Sequence, residues 1–435
     1  MPSLHRIPRA ALAALTLAVP TAWASLAKVS EPAASAPAKD IVLDAAPAVP
    51  VAAPAPSPAS RAAGPLTDFG FDLWQALPGR PANAVFSPLS VGAALGMLHA
   101  GSGPADAAEL ARLFGTAHGG RRVLTESLPA ALKAAAADGG PLRAASRLWV
   151  APAVAKKLQP DFVRQLAERY AATAQGLAFA HAEPARGQIN AWVSAQTQGL
   201  IADLMPAGSV LPNTRLVLTQ ALHFRSPWAQ PFDPAATAPQ RFDVQPGVHK
   251  LVPTMHGEMK ARAAEVGGFQ VVELPFAQGG YVLQLVLPPA GQPLAQARAE
   301  LDAADVAAWQ AQLKPVRCQV ELPRLALRSG SVSMKAALQR LGVSRLFTPQ
   351  ADFRPALGTA AAGLQVDEVI HAASFSLDES GGEAAAATGA SVGFKSLDLT
   401  PQQACRFDRP FLFTLVHAPT QTPVLMGGVA DPTQP

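Results

Sequence analysis

The chain has 435 residues, 49% of them hydrophobic and 15% charged, which excludes global disorder and leaves material for a large core. Its net charge is +4, and Arg6 and Arg9 near the start supply two of those charges; no basic block or aromatic-basic stripe occurs, so no nucleic-acid partner is expected. Only two cysteines are present, Cys318 and Cys405, which excludes a disulfide-dense scaffold and a Cys-rich zinc site.

Residues 1–24, MPSLHRIPRAALAALTLAVPTAWA, run from a basic start through a short apolar stretch to Ala22-Trp23-Ala24. This is the pattern of a signal peptide cleaved after Ala24, too short for a membrane anchor and broken as a helix by Pro20. The mature chain is therefore expected to be exported, secreted or periplasmic. No later apolar run is long enough to span a bilayer, so no membrane span is expected. Residues 25–64 are dominated by Ala, Pro, Ser and Val, and read as a disordered, flexible linker with little to bury. Export would permit a bridge between Cys318 and Cys405; two buried thiols are the equal alternative, because sequence does not give their separation.

Residues 65–435 read as one folded domain. Apolar residues three and four apart predict helices over 66–77, 90–100, 160–172 and 189–205. Dense β-branched, aromatic or alternating apolar residues predict strands over 214–224, 280–288, 318–327, 371–377 and 409–418. Helices gather in the first half and strands in the second, which predicts an α+β fold and not a nucleotide-binding parallel sheet.

Most catalytic signatures are missing: there is no Walker loop, no HExxH and no CxxC. The nine histidines are scattered and read as surface or satisfied core residues, so no metal and no cofactor is expected. The acid pairs Asp367-Glu368 and Asp378-Glu379 read as solvated ends of elements. Gly389-Ala390-Ser391-Val392-Gly393 fits the hydrolase pattern GxSxG, but neither the buried strand that should precede it nor the helix that should follow is present. The more informative reading of this region starts at Glu379. Gly381-Gly382 makes a free joint, and beyond it Gly382, Ala384, Ala386 and Thr388 put very small side chains on one face of an extended segment. Such a strand could enter between two strands of a sheet without a clash. Alone, this segment is equally compatible with a flexible low-complexity loop.

A series of motifs then occurs in a familiar order. Asn83-Ala84-Val85-Phe86-Ser87-Pro88-Leu89-Ser90 is followed by Ile189-Asn190-Ala191-Trp192-Val193 with Thr197, and by LVLTQALHFRSPW over 216–228. Val252-Pro253-Thr254-Met255, Leu274-Pro275-Phe276, Ala351-Asp352-Phe353 and Asp367-Glu368-Val369-Ile370-His371 come next. The hinge-like ESGGEAAAAT, Arg409-Pro410-Phe411-Leu412-Phe413 and residues 427–433 complete it. Together they resemble the serpins over 66–435. The resemblance implies three β-sheets with about nine helices, a monomer, and an exposed reactive-centre loop. It implies a suicide-substrate inhibitor whose cleaved loop inserts into the main sheet while an acylated protease is still attached. It also implies a hinge at Glu379, Gly381, Gly382, Glu383, Ala384, Ala385, Ala386, Ala387 and Thr388, and a polar cluster of Ser87, Ser90, Gln220 and His371 where the sheet opens.

Counting from Gly381, the reactive bond falls at Lys395–Ser396, with Phe394–Lys395 the second choice because the segment before Arg409 is longer than usual. Lysine before the bond points to a trypsin-like serine protease partner. Three departures stand out: Gly382 replaces the usual Thr or Ser, Gln220 replaces an Asn, and Ser226-Pro227 replaces a Gly before Trp228. The alternatives are a non-inhibitory serpin acting as a binding protein, and a serine hydrolase using Ser391.

Overall fold

A computed structural model describes residues 64–77, 83–136, 140–361, 363–382 and 400–434. The helices of the first half are α1 (Pro65–Ala76), α2 (Pro88–Gly101), α3 (Pro104–Arg112), α4 (Ala117–Arg122), α5 (Leu128–Ala135), α6 (Pro152–Ala155), α7 (Pro160–Tyr170) and α8 (Ala182–Gln196). Proline opens α1 and α2 at positions where its missing N–H costs nothing. The Ser87 side chain caps α2 by accepting from the Ser90 N–H at 3.0 Å. From Pro88 to Leu98 every residue of α2 is buried, so it is a central helix and not an amphipathic surface one.

The strands are β1 (Ala84–Phe86), β2 (Leu142–Val150), β3 (Ala172–Gly176), β4 (Leu216–Phe224), β5 (Ser226–Pro227), β6 (Ala238–Gln245), β7 (Val248–Val266), β8 (Phe269–Pro275) and β9 (Tyr281–Leu287). Then follow β10 (Lys314–Pro323), β11 (Leu325–Arg328), β12 (Val332–Ser333), β13 (Glu368–His371), β14 (Ser374–Leu377), β15 (Gly381–Gly382), β16 (Gln402–Arg406), β17 (Phe411–His417) and β18 (Thr422–Val429). The α+β expectation holds, but the segregation is partial: α9 (Leu294–Glu300), α10 (Ala303–Gln312), α11 (Lys335–Arg340) and α12 (Arg354–Leu357) lie among the later strands.

Two separately hydrogen-bonded ladders, β12-β13-β4-β2-β3 and β11-β14-β15-β5, follow one another end to end and are together called the main sheet. Chain continuity joins them, since β4 runs into β5, β11 into β12 and β13 into β14 within a few residues. The remaining strands follow the order β1-β18-β17-β9-β8-β7-β10-β16, with β6 also on β7. The 19 residues of β7 serve two layers: Thr254–Ala263 pair with β10, and Arg262–Val266 pair with β8. Among the described residues the hydrogen-bonded ladders number three, of nine, five and four strands.

One predicted helix ends early. The spacing over 189–205 predicts helix to Met205, but α8 stops at Gln196. Gln198 and Gly199 take positive φ of 53° and 86°, and the Thr197 side chain accepts from the Ile201 N–H at 3.1 Å, so the chain turns out of the helix. The cysteines form a bridge: Cys318 of β10 and Cys405 of β16 are joined, with Cα atoms 5.6 Å apart.

Candidate functional site

The main sheet carries the site. β4 pairs with β2 along its whole length, from Leu216 to Phe224. On its other side β13 runs parallel to it over Val217–Thr219 alone. Above that, no ladder among the described residues joins 220–225 of β4 to 371–377 until the top of the sheet. There β15 lies between two strands, with Gly382 opposite Leu377 of β14 and Ser226 of β5, and Gly381 opposite Pro227. Both flanking pairings are antiparallel. Gly381 and Gly382 thus stand between β14 and β5, above the interval, the stretch of β4 that has no partner on this side among the described residues.

A tight turn aims them there. The Asp378 carboxylate accepts from the N–H groups of Ser380 at 2.8 Å and Gly381 at 3.1 Å, while the Asp378 N–H donates to the Gly381 carbonyl at 3.0 Å. Gly381 has φ 144°, and a Cβ on it would lie 2.3 Å from the Ser226 carbonyl oxygen and 2.7 Å from the Pro227 Cα. Only glycine fits. At Gly382 a Cβ would meet the Phe224 ring at 3.0 Å. The glycine in place of Thr or Ser therefore makes room for that ring, and Ser226-Pro227, where a Gly is usual, is matched by two glycines across the ladder.

The acid pair here is no solvated end, contrary to the sequence reading. Glu379 is buried and accepts from Arg324 Nε at 2.7 Å and Nη2 at 2.6 Å, and from the Thr237 hydroxyl. Burial pushes its pKa up, but the bonds from Arg324 and Thr237 outweigh burial and hold the carboxyl below its usual value. The backbone is tied too: the Phe232 N–H donates to the Glu379 carbonyl at 2.9 Å, and the Trp228 N–H to that of Ser380 at 2.9 Å. The Trp228 indole N–H donates to the Asp378 carbonyl at 2.9 Å, and its ring stacks on Phe276 with centroids 4.5 Å apart. The other pair is partly engaged as well, with Glu368 accepting from the Ser333 hydroxyl at 2.6 Å and Asp367 from the Arg215 N–H at 3.1 Å.

At the foot of the interval lies the polar cluster. His371 Nε2 accepts from the Ser87 N–H at 3.1 Å, and the Ser87 hydroxyl donates to the Val424 carbonyl at 2.6 Å. Accepting at Nε2 makes His371 the Nδ1–H tautomer, and burial pushes its pKa down to about 4. Gln220 is brought to the same level but is wired elsewhere: its Oε1 accepts from the Ser146 hydroxyl at 2.6 Å. Two buried donors then have no partner among the described residues, Gln220 Nε2 and His371 Nδ1.

A family profile described as Serpin (serine protease inhibitor) matches residues 65–432. A "Serine protease inhibitor" of Cyanea capillata is 32% identical over 364 residues, covering 82% of this chain and 94% of that protein. Serpin-Z2B of Triticum aestivum is 31% identical over 381 residues, covering 84% and 95%. The chain belongs to the serpin family. Among solved structures, a thyroxine-binding globulin complex with thyroxine superposes with TM-score 0.76 at 22% identity, covering 86% of this chain and 99% of that one. Serpin-12 of Manduca sexta gives 0.74 at 24%, covering 85% and 99%. Both identities speak to the fold alone.

In this serpin α8 covers the closed foot of the main sheet. Ile189 and Val193 pack with Trp149, Val217 and Ile370, and Arg147 lies over the Trp192 ring at 4.4 Å and the Trp149 ring at 5.1 Å. The structure brings together Glu379, Gly381 and Gly382 at the head, and Ser87, Ser90, Gln220 and His371 at the foot. Glu383, Ala384, Ala385, Ala386, Ala387, Thr388, Ser391, Phe394, Lys395 and Ser396 lie outside the described residues, as do residues 1–63. Arg324, Thr237 and Ser146 were not singled out from the sequence. Their partners are 55, 142 and 74 residues away, and no local pattern marks such pairs. Among the described residues no group of His, Cys, Asp and Glu could hold a metal ion, and no helix is long and apolar enough to cross a membrane.

Proposed function

We propose that this serpin is an exported monomeric inhibitor of trypsin-like serine proteases, acting as a suicide substrate. The observation that carries the reading is β15, two residues of hinge already paired on both sides at the head of the interval. If the β15 register continues, Glu383 to Thr388 fall opposite Arg225 to Gln220 in order, with residues 371–376 on the other side. Six residues, about 20 Å of strand, then fill the interval from head to foot.

The side-chain chemistry supports that register. Gly382 faces the Phe224 ring, so Ala384, Ala386 and Thr388 face the same apolar core in turn. Thr388 arrives level with Gln220 and His371, and its hydroxyl oxygen offers an acceptor to the two orphaned donors. Going further requires the parallel β13–β4 ladder to part beneath α8.

In the proposed reaction the protease serine hydroxyl attacks the Lys395 carbonyl. The Lys395–Ser396 bond breaks, the new amine of Ser396 takes the proton, and residues up to Lys395 remain as an acyl group on the protease. The freed segment inserts and carries the protease with it before water completes deacylation. A dozen ladder hydrogen bonds at roughly 0.5–1.5 kcal/mol each make on the order of 10 kcal/mol available. The uncut form is therefore a kinetically held state. The chain supplies no catalyst of its own in this scheme, and the protease provides the nucleophile.

The test is incubation with trypsin followed by denaturing electrophoresis. A covalent complex is expected at the summed mass, with a released fragment starting at Ser396. Complete digestion or inert coexistence would overturn the reading, and a fragment starting at Lys395 would shift the bond by one residue.

A further inference from the structure

Away from the main sheet, a cleft of about 730 Å³ opens between α2, α3, α7 and the segment that leads from α4 into α5. Its size is that of a small-molecule site. It shares no described residue with the hinge, the interval or the polar cluster at the interval's foot.

Its frame is held by one buried ring. Between α4 and α5 the helix widens into a π turn over Val123–Ser127, where the Leu128 N–H donates to the Val123 carbonyl; turns of this kind are frequent at functional sites. The buried Tyr170 of α7 donates its hydroxyl to the Leu124 carbonyl inside that turn at 2.9 Å. A Cβ on Gly96 of α2 would stand 2.5 Å from the same ring, so glycine lets α2 and α7 close on it. The next side chain along, Arg169, donates to the Thr125 carbonyl at 3.3 Å.

One wall is cationic and uncommitted. Arg121 of α4, Arg169 and Gln165 of α7, and His99 of α2 line it. Neither arginine has an ion pair among the described residues, and the side chains of Arg121, Gln165 and His99 make no hydrogen bond there. Glu126, the one acid lining the cleft among the described residues, is already taken by Arg122 at 3.1 Å. Burial, and then the charges of Arg121 and Arg169, push the pKa of His99 down, so the three groups share one positive field. The facing wall is apolar. Pro104, Ala107, Ala108 and Ala111 of α3 lie there, and their small side chains leave a trough.

We propose that this cleft binds a small organic dianion with an apolar body, of the aromatic disulfonate or dicarboxylate class. Arg121 and Arg169 stand on different elements, so two acidic groups on one body bridge them, each taken by a guanidinium in charge-assisted hydrogen bonds. The body then lies in the alanine trough of α3. An inorganic anion would leave the trough wet, and a neutral ring would leave the cations unpaired. Arg112, Arg122 and Lys133 on the same stretch of chain do not line the cleft, so the site is the pocket and not the basic surface around it. It stands whether or not the chain inhibits a protease.

Calorimetric titration of the full chain with naphthalene-1,5-disulfonate at low ionic strength tests the site. One saturable site per chain is expected. Inorganic sulfate and 2-naphthalenemethanol, which carry the charge or the ring alone, should each bind about tenfold more weakly or worse. Arg121→Gln/Arg169→Gln should weaken the disulfonate by about tenfold or more, whereas Arg112→Gln/Lys133→Gln, which removes equal charge outside the cleft, should change it less than about twofold. Ala108→Phe keeps every charge and fills the trough, and should also weaken binding. All four arginine and lysine positions are exposed, so those two variants keep the test decisive should Ala108→Phe fail to fold. No saturable binding by the parent, sulfate binding as tightly as the disulfonate, or equal weakening by the two charge-matched variants would overturn the proposal.

Discussion

Gly381 lies so close to Pro227 that a Cβ on the glycine would stand 2.7 Å from the Pro227 Cα, and 2.3 Å from the neighbouring Ser226 carbonyl oxygen. These are backbone atoms of β5 and cannot swing away. The contact fixes where the hinge meets the sheet.

Gly381→Ala should therefore force β15 away from β5 and loosen the Asp378 turn. The intact protein should lose about 2 kcal/mol, the cost of one strained backbone position. Urea unfolding of uncut protein measures it. A change under about 0.5 kcal/mol would mean the hinge is not held where it is described.

His371 sets a pH dependence. Burial places its folded pKa at about 4, against an unfolded value near 6.5, so between these values the unfolded chain binds the extra proton. Its contribution to stability is complete above about pH 6.5 and is lost as pH falls toward 4, by on the order of 3 kcal/mol. Urea midpoints from pH 7 to 4 should fall more steeply for the parent than for His371→Gln. Parallel slopes would contradict a buried neutral imidazole.

Several parts of this architecture are legible in the residues alone. The spacing over 90–100 announces a helix for a local reason, and α2 is there, starting at Pro88. Gly381-Gly382 announces a joint for an equally local reason, and Gly381 does take a φ of 144°. The Glu379–Arg324 pair is not legible, because the acid pair in sequence looks like any solvated turn and its cation sits 55 residues upstream, between β10 and β11. The early end of α8 is hidden too, since Leu200, Ile201 and Leu204 keep helical spacing while the backbone has already turned at Gln198 and Gly199. Ile201 and Leu204 are buried all the same, in the cluster beneath α8. The cysteine pairing depends on which strands become neighbours, which spacing does not encode.

On the proposed function, which requires the loop to stand outside the sheet before cleavage, Ala386→Arg should leave the uncut protein's stability unchanged within about 0.5 kcal/mol. After cleavage the arginine would face the core opposite Leu222, where an unpaired ion costs several kcal/mol. Insertion slows, deacylation wins, and trypsin should be recovered active with the same bond cut. Trapping as efficient as the parent's would mean this segment does not insert in the stated register.

Thr388→Val keeps the shape and removes the acceptor meant for Gln220 and His371. The uncut midpoint should not move, whereas the cleaved form should lose about 1–2 kcal/mol because two buried donors stay unpaired. Calorimetry of both forms separates the two effects. An equal effect on cut and uncut protein would place the hydroxyl somewhere else.

The central claim is that a cut loop becomes a strand. Thermal midpoints of the intact chain and of the chain cut at Lys395–Ser396 test it most directly, in the same buffer and without protease present. Adding on the order of 10 kcal/mol of ladder to a domain of this size predicts a rise on the order of 10 °C. Coincident midpoints before and after the cut would contradict insertion.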